Sequence, residues 1–157
     1  MSKALDIINA VRTTLDSDQS TVVTIEADYR SLADLNRLAD HEPETFPRAF
    51  VFAGDQEVEA PEDQVVGTTK RYDLPLVVDC YVLKDTNLVT EMEGAIKALR
   101  DIIELPVNQA WTSDVVKTEP ELVVRRALPW QTPAKILIIG AFSIQWNVTY
   151  KYARGAS

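Results

Sequence analysis

The chain contains few residues that could form a catalytic or metal site, and their types and spacing favour structural roles. It has one cysteine, Cys80, and one histidine, His41. These two ligands are too few for a typical zinc site. Cys80 lies between Val78 and Val82 in an alternating apolar series, where a thiol is usually buried and unreactive. We therefore expect no metal and no cofactor.

Acidic pairs and nucleophile motifs are equally unspecific. Asp73 with Asp79, or Glu57 with Glu59, could act as general acid and base, but chance pairs are expected in a chain with 24 acidic residues. The five glycines are isolated, so there is no glycine-rich phosphate loop, and there is no Gly-x-Ser-x-Gly motif. The only histidine is far in sequence from Cys80 and from any candidate serine. The sequence does not predict an enzyme.

Charged and aromatic residues instead indicate surfaces for contact with other subunits. Arg125 and Arg126, with Lys117 nearby, form a local basic cluster. They could protect a strand edge from aggregation, or form ion pairs with an acidic segment of a neighbouring subunit. Trp130 could cover the core or anchor an interface, because interfaces favour tryptophan and arginine. The candidate interface residues are Glu57, Glu59, Glu62, Asp63, Arg71, Arg125, Arg126 and Trp130.

Length, composition and charge restrict the class of protein. The chain has 157 residues, 46% of them hydrophobic, and a formal net charge of −8. We expect one globular domain over residues 1–157, made in a cytoplasm, because no segment resembles a signal peptide or a membrane span. The negative charge argues against sequence-specific DNA binding, which normally uses a basic surface. It either maintains solubility or provides a surface that repels phosphate.

Two long alternating patterns predict the strands that would position these residues. Every even position from 136 to 152 except Gly140 carries a large apolar side chain, and the odd positions from Ser143 onward are polar, so one sheet face would be apolar and the other polar. Such a strand is expected in the centre of a sheet, because a free apolar edge promotes aggregation. Residues 68–83 predict a second long central strand, in which Pro75 indicates a bulge or a section with a free edge.

Two amphipathic helices are predicted, at residues 3–16 and 88–104. The acidic stretch at about 55–68 predicts an extended loop or arm, whose charges are more often solvated than part of a binding site. The predicted fold is α+β, with a mostly antiparallel sheet of long strands and two main helices packed on one face. The remaining predicted elements are strands at 21–26, 48–52 and 121–127, a short helix at 31–38 and a loop at 128–133.

The order of these elements resembles that of the tail terminator, or tail-completion, proteins of long-tailed bacteriophages. The resemblance covers residues 3–152 and rests on the segments Pro-Arg-Ala-Phe-Val-Phe at 47–52, Tyr-x-Leu-x-Leu-x-Val at 72–78 and Ala-x-x-x-x-Trp-x-Val-x-Tyr at 141–150. It implies a homohexameric ring in the virion, assembled in the host cytoplasm, without catalytic residues or membrane contact. The ring would contact the tail tube protein and the head–tail connector, and DNA would pass through its lumen without sequence-specific binding.

Two other functions remain open. Another neck component, such as a head-completion or connector adaptor protein, would share the class and compartment but bind a different ring. A small α+β enzyme or ligand-binding domain would need a pocket with converging polar groups.

Overall fold

The computed structural model describes residues 2–19, 23–25, 47–54, 58–59, 69–83, 88–108, 110–131 and 136–153. The helices are α1 (Lys3–Gln19) and α2 (Leu88–Ile103), and a short 3-10 helix (Pro106–Asn108) follows α2. The predicted helix at 31–38 and most of the acidic arm lie outside the described residues. The strands are β1 (Thr24–Ile25), β2 (Arg48–Ala53), β3 (Val58–Glu59), β4 (Thr69–Leu83), β5 (Val115–Thr118), β6 (Leu122–Gln131) and β7 (Ile136–Ala153).

The two longest strands form the centre of the sheet. All 15 residues of β4 pair antiparallel with β7, from Thr69 opposite Ala153 to Leu83 opposite Ile139. On the other side of β4, β2 is antiparallel and β1 joins β2 in parallel. On the other side of β7, β5 and β6 pair with successive parts of that strand. The strand order is β1-β2-β4-β7-β5, and β6 pairs with an earlier part of β7 than β5 does, so the mostly antiparallel sheet with long central strands is confirmed.

Both helices cover the same face of the sheet, as predicted. Alternate residues of the central strands, including Leu76, Val78 and Phe142, are fully buried in one core cluster. Burial of such a side chain stabilises the fold by about 1.5–3 kcal/mol. The helices add Ile7, Val11 and Leu15 from α1, and Met92, Ala95, Ile96, Leu99, Ile102 and Ile103 from α2.

The glycine that interrupts the apolar series of β7 lies directly under α2. A Cβ atom at Gly140 would be 2.3 Å from Met92 Sδ and 3.1 Å from Leu88 Cδ1. These distances are shorter than van der Waals contact, so a side chain at this position would displace Met92. Glycine therefore allows α2 to approach the strand backbone closely.

Pro75 lies where β4 changes partners. β2 ends opposite Leu76, and β3 begins opposite Asp73. The Gly54 amide donates a hydrogen bond of 2.8 Å to the Pro75 carbonyl. Because the nitrogen and oxygen of one strand residue point to the same neighbour, the missing N–H of Pro75 points to this gap and not to β7. The ladder between β4 and β7 therefore loses no hydrogen bond, which agrees with the expected free section.

The sequence-based prediction was wrong at two element boundaries. Residues 128–131 were expected in a loop, but they extend β6 and pair with residues 136–139. Pro129 is tolerated in this strand because a strand edge needs no donor on its open side. Helix α1 was expected to end near residue 16, but it continues to Gln19. Ser17 Oγ donates a hydrogen bond to the Thr14 carbonyl, an arrangement that a helix accommodates.

Candidate interaction surface at the sheet edge

The outer edge of β6 is an open and exposed part of the sheet in the described residues. Strand β6 pairs with β7 along its whole length, and no other strand in the described ranges pairs with its second side. The apolar side chains of Leu122 and Val124 are 61% and 38% exposed. A long open edge with exposed apolar residues is a surface that can pair with another chain.

The strand register separates the residues of β6 between the two faces of the sheet. Val124 lies opposite Ser143 and Arg126 opposite Ala141, which places both on the face without helices. Val123 packs against the core, and Arg125 shares the helix side. Strict alternation therefore puts Arg126 beside the two exposed apolar residues and only Arg125 on the opposite face.

Arg125 connects the edge strand to α2. Its Nε and Nη2 atoms donate hydrogen bonds of 2.6 Å and 3.0 Å to the two carboxylate oxygens of Glu93. The side chains of Arg125 and Glu93 are 47% and 49% exposed. The hydrogen bond from Arg125 lowers the pKa of Glu93, and the same contact raises the pKa of Arg125. Arg125 therefore has an ion-pair partner within its own chain, which an intersubunit contact would have to share.

A charged network continues along the groove between α2 and β6. Arg100 Nε lies 3.2 Å from Glu121 Oε1 and 3.5 Å from Glu104 Oε1. A hydrogen bond with Glu121 raises the pKa of Glu104. Burial alone would raise the pKa of Glu121, but hydrogen bonds from Glu104 and Arg100 outweigh it, so this pKa is lowered. The carboxyl groups of Glu104 and Glu121 therefore form a hydrogen-bonded pair beside Arg100. Arg100 and Glu104 line a groove of about 290 Å³.

The face without helices carries a second groove, of about 320 Å³, lined by residues that include Val124, Arg126 and Asp79. Asp79 accepts a hydrogen bond of 2.8 Å from Ser143 Oγ, and Asp73 accepts one of 2.5 Å from Thr149 Oγ1. Asp73 and Asp79 are six residues apart on one strand, about 20 Å. This separation is too long for a general acid–base pair, which needs at most about 9.5 Å in glycoside hydrolysis.

The other candidate interface residues lie in different places. Arg71 is opposite Lys151, ten positions along β7 from the residue that faces Arg126, or about 33 Å away. Glu59 lies in β3 opposite Tyr72, and Trp130 lies in β6 opposite Leu137. The structure therefore brings only Arg125, Arg126 and Trp130 to one strand. Glu57, Glu62 and Asp63 lie outside the described residues.

Two contributors to this surface were missed by sequence reasoning. Glu93 was not among the candidate residues, because its contact with Arg125 depends on the packing of the helix over the sheet. The exposure of Leu122 and Val124 could have been predicted from the sequence, since in a strand they lie on the same face as the charged Arg126. An apolar series that continues into a charged residue is typical of a strand face that is not part of the core.

Neither a cluster of metal ligands nor a membrane-spanning helix is found in the described part of the chain. No group of three or more histidine, cysteine, aspartate or glutamate residues in those ranges could hold a metal ion. Cys80 is fully buried, and this burial raises the pKa of its thiol. No helix in the described ranges is long and apolar enough to span a membrane. No protein-family model matches the chain, and no curated protein matches it.

Proposed function

We propose that this chain is a structural virion protein, the tail terminator of a long-tailed bacteriophage, whose copies form a ring that caps the tail tube and joins it to the head connector. The observation that carries the proposal is the long ribbon of β4 and β7, covered by α2 and bordered by the open edge of β6. This combination provides a rigid body with a surface for another subunit. The element order on which the resemblance rests is also the order of the folded elements.

The charges of the edge support assembly with a second, complementary surface. Arg126 forms no ion pair with any residue of the described ranges, and it lies beside the exposed Leu122 and Val124. A ring of identical subunits closes only if each subunit presents two different, complementary surfaces. In such a ring, acidic residues of a neighbouring subunit would supply a counter-charge for Arg126. The net charge of −8 would suit a lumen that repels phosphate while DNA passes.

The enzyme or ligand-binding alternative is less favoured, because the groove between α2 and β6 is lined by charged side chains that pair with one another, and the one described thiol is buried. The neck-component alternative shares the class and the compartment, and the experiment below separates it from the terminator.

The function is tested by electron microscopy of particles from a phage that lacks the gene for this protein. A terminator stops polymerisation of the tail tube, so we expect tails longer than the wild-type length. Full heads accompanied by detached tails of normal length would assign the protein to head completion or connector adaptation. Normal infectious particles would contradict both assignments.

A charge-reversed variant connects this function to the edge. We expect Arg126→Glu to give the overlong tails of the deletion when it is supplied in trans. Lys97→Glu makes the same change of charge on α2, where the side chain is 76% exposed, and should restore normal tails. Light scattering of the purified variants, alone and with purified tail tubes, should show a ring mass only for the wild type and Lys97→Glu.

A further inference from the structure

We propose that neighbouring copies of this chain join by pairing the β6 edge of one copy with the β1 edge of the next, so that one sheet continues from subunit to subunit. This inference rests on the proposed ring and names the contact that forms it. It concerns two edges that lie at opposite ends of the same sheet.

The first step is that both edges have an unpaired side in the described ranges. Strand β6 pairs only with β7, and β1 pairs only with β2. The neighbouring part of β2 is less available, because Arg12 Nη2 donates a hydrogen bond of 3.4 Å to the Val51 carbonyl. Strand β1 is therefore the part of this edge that can accept a partner. Val23, Thr24 and Ile25 are all β-branched, a composition that favours a strand.

The second step is the direction of the strands. Strand β6 is antiparallel to β7, β7 to β4, and β4 to β2, while β1 is parallel to β2. Strands β6 and β1 therefore run in opposite directions within one subunit. When a second copy is placed beside the first in the same orientation, its β1 lies antiparallel to β6 of the first. Antiparallel pairing is slightly more stable per residue than parallel pairing, so the topology favours this arrangement.

The charges disfavour the simplest alternative, a twofold pair of β6 strands. With full overlap of Leu122–Gln131 on a second copy of itself, Arg126 would lie opposite Ala127 and diagonally to Arg125 of the second copy. Long side chains reach diagonal neighbours on an adjacent strand, so the like charges of these arginines would repel. In the head-to-tail arrangement the arginines of β6 would instead lie beside β1 of the next copy. Its residues Thr24 and Ile25 are uncharged, so this strand presents no like charge to the arginines. The charges therefore favour a head-to-tail contact over a twofold one.

A head-to-tail contact of this kind has geometric consequences. All strands run roughly along the axis of the ring, and both helices of every subunit lie on the same side of the sheet. Repetition closes the ring and covers the part of the β6 edge that pairs with β1, which lowers the aggregation risk of this strand. Five strand positions at about 4.8 Å span about 24 Å per copy, so six copies would form a sheet ring about 46 Å across.

Cysteine cross-linking of the full-length protein tests the contact. Thr24→Cys places a thiol in β1, Val124→Cys places one in β6, and the native Cys80 is fully buried. A short bifunctional thiol reagent is added to the assembled protein, with tail tubes if these are needed for assembly. Within one subunit the two positions are separated by three strands, about 19 Å, so a short link forms only between copies.

We expect the double variant Thr24→Cys/Val124→Cys to give a covalent ladder up to the ring mass. A mixture of the two single variants should give only mixed dimers. Lys97→Cys combined with Val124→Cys is the matched control and should give no ladder. Dimers of Val124→Cys alone would overturn the inference in favour of twofold pairing. Rings seen by electron microscopy without a ladder would overturn the edge contact and leave the proposed function intact, whereas a subunit that stays monomeric even on tail tubes would overturn both.

Discussion

Replacing Gly140 with alanine is expected to destabilise the fold, because the added methyl group has no space. Its Cβ would lie 2.3 Å from Met92 Sδ, 2.9 Å from Met92 Cγ and 3.1 Å from Leu88 Cδ1. Met92 is buried in the core cluster, so it must leave its present position. Overpacking of this kind costs about 1–3 kcal/mol, and the lower entropy of the unfolded chain offsets about 0.4–1 kcal/mol of this cost.

Gly94→Ala is the matched control, since it makes the same chemical change in α2 with no atom within 4 Å of the new Cβ. Glycine in a helix interior is less stable than alanine by about 0.5–1 kcal/mol. The two variants should therefore change the free energy of unfolding in opposite directions. For a chain of this size each 1 kcal/mol shifts Tm by about 2–4 °C.

Urea denaturation followed by tryptophan fluorescence measures both changes, and the double variant Met92→Ala/Gly140→Ala tests the cause. Met92→Ala alone should cost about 2–5 kcal/mol. If Met92 is the obstacle, the double variant should be more stable than the sum of the single effects by about 1 kcal/mol or more. The explanation is wrong if Gly140→Ala is as stabilising as Gly94→Ala, or if the two single effects are additive.

Three further predictions concern the edge network and the core thiol. Arg125→Ala should lower the free energy of unfolding at low salt and have little effect at high salt, because screening weakens half-exposed ion pairs. Since the pKa of Glu93 is lowered, this loss of stability should be seen above the ordinary pKa of glutamate. It should disappear as the pH falls through the lowered pKa of Glu93. Because the pKa of Glu104 is raised, the contribution of this residue to the free energy of unfolding falls as the pH rises from the ordinary pKa of glutamate to the raised one. Glu104→Gln should remove this decline, measured by urea denaturation from weakly acidic to neutral pH. An unchanged pH profile would contradict the assignment. Cys80, which is fully buried with a raised pKa, should react with a thiol reagent only as fast as the protein unfolds, and immediate labelling of the native protein would contradict its placement in the core.

Much of the fold could be predicted because its main elements have long, regular patterns. The alternation in β4 and β7 extends over more than a dozen residues, so the buried face of each strand was identified correctly from parity. The apolar stripe of α2 extends over several turns and ends before Pro106, and the helix agrees with its predicted bounds within one residue. Long patterns succeed because each additional buried residue adds to one consistent signal.

The edge of the sheet was harder to predict because its residues depend on contacts between distant segments. Pro129 suggested a loop, but the proline lies in a strand that needs hydrogen bonds on one side only. Arg125 and Glu93 are 32 positions apart in sequence, and only the packing of α2 over β6 brings them together. The same packing pairs Arg100 with Glu121. Local patterns contain no information about such pairs, so the network next to the candidate surface was not predicted.

The position of β7 in the chain has a consequence for how this protein is made. Strand β7 is the shared partner of β4, β5 and β6 and follows all three in sequence. A nascent chain on the ribosome can therefore form α1, α2 and the pairing of β2 with β4, but it cannot add β5 or β6 until β7 has been synthesised. Pairing over such sequence separations is slow, and unpaired strands aggregate easily. Synthesis of β7 is thus the step that commits the polypeptide to its native sheet.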